Sequence, residues 1–217
     1  MPAWSFSSIK LYDTCPRKYH AEKVEKLYPF QDTQATIYGK EVHLAAEEYI
    51  RDDKPLPVGH SQFQPMLDRL RNIKGEKLCE LKMALTADLQ PTKFLAKNVW
   101  VRGIADLIIV NGETARVIDY KTGSAKYPDK GQLELMAMMV MAHYPEVQYV
   151  KAGLLFMLHD TFITAEYHRD DLDDMWDRWR NKYNKLAASY DNDNWPPNPN
   201  GLCRNWCPVE HCEFQGG

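Results

Sequence analysis

Two carboxylates and one ammonium group stand inside otherwise apolar stretches near the middle of the chain. Asp106 lies in the run GIADLIIV, and Asp119 and Lys121 lie in the run RVIDYKTG. Burying a charge without a partner is costly, so charged residues in such segments need an explanation. A divalent cation bound by carboxylate oxygens removes both the burial penalty and the repulsion between two acids. The residues therefore favour a shared metal site, with an Asp–Lys ion pair on a surface hairpin as the alternative.

The two runs predict neighbouring strands of a β-hairpin. They are joined through Asn111–Gly112, and Asn-Gly is the strongest short hairpin signal. A turn at this dipeptide places Asp106 opposite Val117. Because strand side chains alternate between faces, we expect Asp106, Asp119 and Lys121 on the same face. Asp106 and Asp119 are then diagonal neighbours with Cα atoms about 7–8 Å apart, a separation from which two carboxylates can share one ion.

The rest of the chain predicts helices and strands that form a mixed α/β sandwich. Apolar residues at helical spacing, cap residues and glycine or proline breaks mark the helices, and two-residue alternation marks the strands. Helices are expected near residues 7–15, 35–52, 61–74, 128–144 and 169–190, and strands near residues 77–89, 98–110, 114–123, 147–158 and 160–168.

The strand predicted for KLCELKMALTADL contains one acid and one thiol on opposite faces. Regular alternation separates Glu80 from Cys79, its neighbour in sequence. We interpret Cys79 as a core thiol. Glu80 is interpreted as a solvent-facing carboxylate, with a contribution to the acidic site as the less favoured alternative.

The overall composition is that of an ordinary globular protein. The chain has 217 residues, 44% hydrophobic residues and a formal net charge of −3, so its overall charge does not attract nucleic acid. The N-terminal MPAWSFSSIK has no apolar signal region, and no apolar run is long enough to span a bilayer. We expect no membrane partner and a cytoplasmic location, in a bacterium or a phage-infected host. Five cysteines in that compartment favour metal or redox chemistry over disulfides.

Several motifs, in one characteristic order, resemble the RecB-type branch of the PD-(D/E)XK nucleases. The residues are Gly39-x-x-x-His43, Gly103-x-x-Asp106 and Asp119-x-Lys121. The opening SFSSIKLYDTCPRKY and the C-terminal cysteine cluster resemble the iron–sulfur subgroup of this branch, which includes CRISPR-adaptation nucleases and phage exonucleases. The resemblance covers nearly the whole chain and implies a restriction-endonuclease-like core with a mixed central sheet flanked by helices.

The resemblance assigns a role to each residue of the acidic site. It implies that His43, Asp106, Asp119 and the carbonyl of Tyr120 bind Mg²⁺ or Mn²⁺. Lys121 would orient the attacking water and offset charge that develops on the phosphate, so Lys121, Asp106 and Asp119 are the expected catalytic residues.

The resemblance also implies a cysteine-bound metal cluster that joins the two ends of the chain. Cys15, Cys203, Cys207 and Cys212 are the expected ligands of a [4Fe–4S] cluster, and a Zn²⁺ ion is the alternative. The last three run C-x3-C-x4-C, whereas the subgroup usually shows C-x2-C-x5-C, so the middle cysteine is displaced by one residue.

DNA, in particular DNA with single-stranded ends, is the partner that the resemblance implies. Contacts with it are expected from Gln132, Arg17 and Lys18. The family often has Q-x-x-x-Y after D-x-K, but here Gln132 is followed by Met136.

The expected organisation is one RecB-like nuclease domain spanning residues 1–217. It comprises a helical part over about 1–76, a nuclease core over about 77–190 and a cysteine segment over about 191–217. The expected activity is that of a metal-dependent DNA exonuclease in recombination, repair, phage replication or CRISPR adaptation, as a homo-oligomer or with partner proteins of those pathways. The alternative is a catalytically inactive nucleic-acid-binding accessory subunit on the same fold.

Overall fold

The computed structural model describes residues 3–126 and 128–216. The chain forms two compact units: a core unit, Asp32–Met175, and a terminal unit made of Met1–Gln31 and Trp176–Gly217. The single-domain organisation therefore stays a prediction. The helices are α1 (Phe6–Thr14), α2 (Pro16–Tyr19), α3 (Gln34–Asp52), α4 (Gln64–Arg71), α5 (Gly131–His143) and α6 (Leu172–Asn192).

A five-stranded mixed sheet forms the centre of the core unit. The sheet order follows the chain order, with β3 and β4 parallel and the other neighbours antiparallel. Helix α5 makes the crossover between the parallel strands, as such a connection requires. The predicted α/β fold with a mixed sheet flanked by helices is confirmed. The strands are β1 (Glu76–Leu85), β2 (Val101–Asn111), β3 (Thr114–Lys121), β4 (Tyr149–Phe156) and β5 (Thr161–His168).

Helix α3 packs on one face of this sheet. It begins at Thr33, whose side chain caps the helix by accepting the Thr36 N–H. Its apolar stripe joins a buried cluster with side chains of β2 and β3, and we call this side of the sheet the α3 face. The cluster includes Val42, Tyr49 and Ile50 from the helix and Leu107, Ile109, Ile118 and Tyr120 from the strands.

Helix α5 packs on the opposite face of the sheet. Tyr120 belongs to the α3 cluster, whereas its neighbour Asp119 contacts Gln132 of α5. Alternation along a strand sends these two neighbours to opposite faces. The contacts therefore place α3 and α5 on the two sides of β3.

Met136 occupies the helix position where the resemblance leads one to expect tyrosine. It is buried, and its terminal methyl lies against Gly103 of β2, so closely that a Cβ at Gly103 would collide with it. The glycine of the G-x-x-D motif therefore makes room for the side chain that replaces the tyrosine.

The predicted register of the β2–β3 hairpin is wrong by one residue on each strand. Asn111 pairs with Thr114 and Ile108 pairs with Val117, so Val117 is not opposite Asp106. The two turn residues are Gly112 and Glu113, and Gly112 has φ 58°. Glycine at the first central position suits a type II′ turn. The turn is thus Gly-Glu rather than Asn-Gly.

The expectation that Asp106 and Asp119 lie on one face is also wrong. Gly103 contacts α5, whereas Leu107, four residues later, packs in the α3 cluster. Four steps in a regular strand would return to the same face, so alternation is broken between them. The break lies at Asp106, which is in neither ladder of β2.

The opposing strand has a matching irregularity at Glu80. Glu80 stands across from Asp106 in the β1–β2 register and has φ 50°, a left-handed conformation that is costly for a residue with a Cβ. Cys79 packs against the α3 cluster, and Glu80 lines a cavity with residues of α3. Two consecutive residues of β1 thus face α3, and the predicted solvent-facing position of Glu80 is wrong.

The terminal unit has its own aromatic core, built from both ends of the chain. Trp4 stacks on Trp179 with ring centroids 5.7 Å apart, and the Tyr12 hydroxyl lies 2.7 Å from Ser189 Oγ. Helix α1 starts at Ser5, which forms a capping box with Ser8. These contacts fix α1 against α6.

Among residues 3–126 and 128–216, no helix combines the length and the apolar character that crossing a membrane requires.

The contact between Gly103 and Met136 gives a prediction about stability. We expect Gly103→Ala to lower the free energy of unfolding by about 1–3 kcal/mol, because the added methyl overpacks the interface between β2 and α5. Combined with Met136→Ala, the same change should cost much less, since the colliding methyl is gone. Urea denaturation of the four proteins in the double-mutant cycle measures the coupling. Additive effects of the two changes would show that these residues do not meet.

Candidate active site

Gly39 allows the imidazole of His43 to reach the sheet. A Cβ at Gly39 would lie 3.2 Å from Thr122 Oγ1, just after the end of β3, so a larger residue would require Thr122 or the helix to shift slightly. His43 stands one helical turn later on α3. Its ring lies edge-on to the ring of Tyr120, with centroids 5.7 Å apart.

The carboxylate of Asp106 occupies a gap between β2 and β3. The ladder between these strands ends at the pair Leu107 and Ile118. Asp106 Oδ2 accepts a hydrogen bond of 2.7 Å from the backbone N–H of Tyr120, which has no β2 ladder partner. Asp106 Oδ1 lies 3.4 Å from His43 Nδ1. One carboxylate therefore links β3 to α3.

Glu80 brings a second carboxylate to the same place. Ligand atoms of His43, Glu80 and Asp106 all lie within 4.8 Å of one another. These three side chains line an open cavity on the α3 side of the sheet. They form a His/Glu/Asp group that could hold a metal ion, because imidazole nitrogen and carboxylate oxygen are common ligands of divalent cations.

Asp119 and Lys121 form a separate triangle with Gln132. Lys121 Nζ lies 2.6 Å from Asp119 Oδ2 and donates to Gln132 Oε1 at 3.0 Å. Gln132 Nε2 donates to Asp119 Oδ1 at 2.5 Å. Each member therefore fixes the other two. Asp119 is only 6% exposed, so this buried carboxylate depends on the two partners.

The electrostatics of the site show an excess of negative charge. Burial and the charge of Asp106 raise the pKa of Asp119 to about 6, although Lys121 and His43 oppose the rise. Burial and Asp106 also raise the pKa of Glu80. Burial lowers the pKa of His43, but the hydrogen bond to Asp106 and the charges of Asp106, Asp119 and Glu80 outweigh it, so the net shift is upward. A divalent cation at this point would offset the negative charge that contributes to all three shifts.

The sequence predicted most of this group but favoured another position for one member. His43, Asp106, Asp119 and Lys121 converge around the end of β3, and the roles assigned to them stay predictions. Glu80 is the member that the sequence offers only as the less favoured alternative, and its position opposite Asp106 in the correct register is the signal for it.

The four cysteines named from the sequence surround one cavity in the terminal unit. Cys15, Cys203, Cys207 and Cys212 all line it, and none is in a disulfide. Three sulfurs accept hydrogen bonds: Cys15 from the Asn198 N–H at 3.4 Å, Cys203 from the Asn200 N–H at 3.4 Å and Cys212 from Arg17 at 3.9 Å. Donors of this kind stabilise thiolates that bind metals.

Arg17 and Lys18, expected to contact DNA, lie beside this cysteine cavity. Arg17 also pairs with Glu213, and Lys18 Nζ lies 3.7 Å from Glu22. Their DNA contacts stay predictions. Cys79, by contrast, lies in the core unit, where burial raises its pKa to about 11, as suits a core thiol.

Comparison with known proteins agrees with this geometry. The model of the PD-(D/E)XK nuclease superfamily matches residues 3–214. The chain belongs to the PD-(D/E)XK nuclease superfamily. Its general activity is that of a nuclease, and the His/Glu/Asp group suits the divalent metals that these nucleases use. No curated protein matches the sequence.

Two solved structures share the fold. The structure named SSO0001 aligns over 99% of this chain and 88% of its own, with 14% identity and a TM-score of 0.50. A protein from Eubacterium rectale, named as a candidate exonuclease, aligns over 94% of this chain and 86% of its own, with 12% identity and a TM-score of 0.53. At these identities the likeness shows the fold alone.

The crowded carboxylates predict that a divalent cation stabilises the fold. We expect Mn²⁺ at 100 times its Kd to add about 2.7 kcal/mol to the free energy of unfolding. Asp106→Asn should abolish this gain while keeping an oxygen that accepts the Tyr120 N–H. Thermal unfolding with Mn²⁺ and with EDTA measures the difference, and Asp88→Asn, at an exposed position, is the control. An equal gain in both variants would place the cation elsewhere.

Proposed function

We propose that this superfamily member is a Mg²⁺- or Mn²⁺-dependent DNA exonuclease. The observation that carries the proposal is the convergence of His43, Asp106 and the Asp119–Lys121 pair around the end of β3. An imidazole, carboxylates and an ammonium group that meet at one strand end are the groups that metal-assisted phosphodiester hydrolysis needs. The structural likeness to a protein named as a candidate exonuclease supports the choice of exonuclease.

The proposed roles divide the residues into metal ligands, a catalytic lysine and a residue that positions it. His43, Asp106, Asp119 and the Tyr120 carbonyl would hold the cation, which when bound polarises the phosphate and makes a bound water more acidic. Lys121 would orient the attacking water and stabilise charge that develops on the phosphate oxygens. Gln132 hydrogen-bonds both Lys121 and Asp119. It would therefore fix the orientation of the ammonium group without adding a charge to the site.

The proposed substrate is DNA with single-stranded ends. Arg17, Lys18 and Gln132 are the proposed contacts, and the roles of Arg17 and Lys18 rest on their positive charge. Recombination, repair, phage replication and CRISPR adaptation are the pathways that need such a nuclease. A homo-oligomer or partner proteins from these pathways, and the cytoplasmic location, stay predictions from the sequence.

The inactive accessory subunit is the weaker candidate. Burial and the charge of Asp106 raise the pKa of Asp119 to about 6, and strongly perturbed pKa values cluster at functional sites. The geometry therefore favours an active enzyme.

We further propose that the four cysteines bind a [4Fe–4S] cluster rather than zinc. All four cysteines line one cavity, as the ligands of a cluster must. Three of their sulfurs accept hydrogen bonds, which suit the charge of a thiolate-bound cluster. The cluster would tie together the two ends of the chain in the terminal unit.

The proposed chemistry predicts the loss of cleavage without loss of the fold. We expect Lys121→Ala and Asp119→Ala to reduce the cleavage rate at least about 10²–10³-fold, because each removes a group that stabilises the developing charge. Digestion of single- and double-stranded DNA, labelled at one end and blocked in turn at either end, measures the rate and its polarity. Circular dichroism checks that each variant is folded.

Lys97→Ala is the matched control, since Lys97 is exposed and should keep the full rate. Absence of cleavage by the wild-type protein with every divalent ion tested would favour the accessory subunit. Unfolding of the Lys121 variant would identify a structural ion pair instead of a catalytic group.

The cysteine site predicts a coloured protein. Anaerobically purified protein should be brown, absorb near 400 nm and contain iron and sulfide, because [4Fe–4S] clusters do. Cys203→Ser should lose the colour and lower the melting temperature, whereas Cys79→Ser should keep the colour. Elemental analysis distinguishes an iron–sulfur cluster from a zinc site, and stoichiometric zinc with no iron would refute the cluster.

A further inference from the structure

Glu80 is a carboxylate that none of the nuclease motifs contains. We propose that Glu80 is a protein ligand of the divalent cation that His43 and Asp106 bind, and that it sets the affinity for that cation. The inference rests on the proposed function for the identity of the site. It adds a residue from β1, a strand that carries none of the motif residues.

The backbone conformation explains how Glu80 reaches the site. A regular strand would send Cys79 and Glu80 to opposite faces, and Cys79 already packs against the α3 cluster. The left-handed φ of 50° turns the side chain of Glu80 to the same side as well. An irregularity of this kind commonly re-aims one side chain next to a functional site. The backbone irregularity on β2, at Asp106, lies across from Glu80 and turns a second carboxylate towards α3.

The distances are close to those of a shared cation. Two ligands bound to one Mg²⁺ lie at most about 4.2 Å apart, because each bond is about 2.1 Å long. The ligand atoms of His43, Glu80 and Asp106 already lie within 4.8 Å of one another. A small rotation of one side chain covers the difference of roughly 0.6 Å.

Within the described residues, the carboxylate of Glu80 makes no hydrogen bond or ion pair. It faces the like charge of Asp106, and the charges of His43 and Lys82 oppose the resulting rise of its pKa without cancelling it. Glu47 lines the same cavity but is paired with Arg51. The hydroxyl of Tyr120, only 2% exposed, also makes no hydrogen bond and lies in the negative field of Asp106 and Glu80. Among the described residues, Glu80 therefore differs from Glu47 in lacking an ion-pair partner.

The test is Mn²⁺ binding to the full-length protein, measured by calorimetry and by the EPR spectrum of the bound ion. We expect Glu80→Gln to weaken Mn²⁺ binding at least about tenfold and to change the EPR spectrum, because a charged carboxylate ligand is replaced by a neutral amide. Glu80→Asp keeps the charge but shortens the reach, so it should also weaken binding. Glu47→Gln removes a carboxylate from the same cavity and should change the affinity less than about twofold, since Arg51 already neutralises it.

Stability without metal separates ligation from folding. Metal-free Glu80→Gln should unfold at the wild-type temperature or above it, because the change removes the repulsion from Asp106. Wild-type affinity in Glu80→Gln, or full affinity in Glu80→Asp, would overturn the proposal for Glu80 and leave the proposed function standing. Failure of the wild-type protein to bind Mn²⁺ at all would overturn both.

Discussion

The hydrogen bond from the Tyr120 N–H to Asp106 Oδ2 is the contact on which the geometry of the site depends. The backbone ladder of β2 and β3 ends at Leu107 and Ile118, and a bare N–H in that gap would cost free energy. The carboxylate satisfies it and is thereby held between the strands with its other oxygen towards His43. The carboxylate of Asp106 thus replaces the backbone carbonyl that would accept this N–H in a regular ladder. The two strands separate here while the Tyr120 N–H keeps a hydrogen bond.

This arrangement divides the acids of the site into two kinds. Asp119 is satisfied by the protein itself, through Lys121 and Gln132 on the α5 side. Asp106 and Glu80 face α3, where His43 brings a ring nitrogen within 4.8 Å of an oxygen of each carboxylate. Asp119 is held by its partners before any cation binds. The repulsion between Asp106 and Glu80 is what favours binding of a cation. The backbone of Tyr120 lies between the two.

Much of this could be predicted from the sequence, because chemical motifs and apolar periodicity are local properties. Asp106 and Lys121 stand out as charges inside apolar runs. The predicted hairpin turn is wrong because a one-residue slide of the dipeptide leaves the alternation of faces unchanged. The pairing of Asn111 with Thr114 distinguishes the two turns. The predicted solvent-facing position of Glu80 is wrong because strand patterns assume a regular backbone. Nothing in the residue type indicates that this glutamate takes a left-handed conformation.

The terminal unit has a consequence for biosynthesis, because it combines the first and the last segments of the chain. Residues 32–175 are continuous and can fold while the ribosome is still at work. Trp4 and Cys15 precede this stretch, whereas their partners Trp179 and Asn198 follow it. These contacts therefore cannot form until the residues after 175 have been synthesised. A chain that ended after residue 175 would contain His43, Asp106 and Lys121 but would lack the aromatic contacts that hold Trp4 against α6.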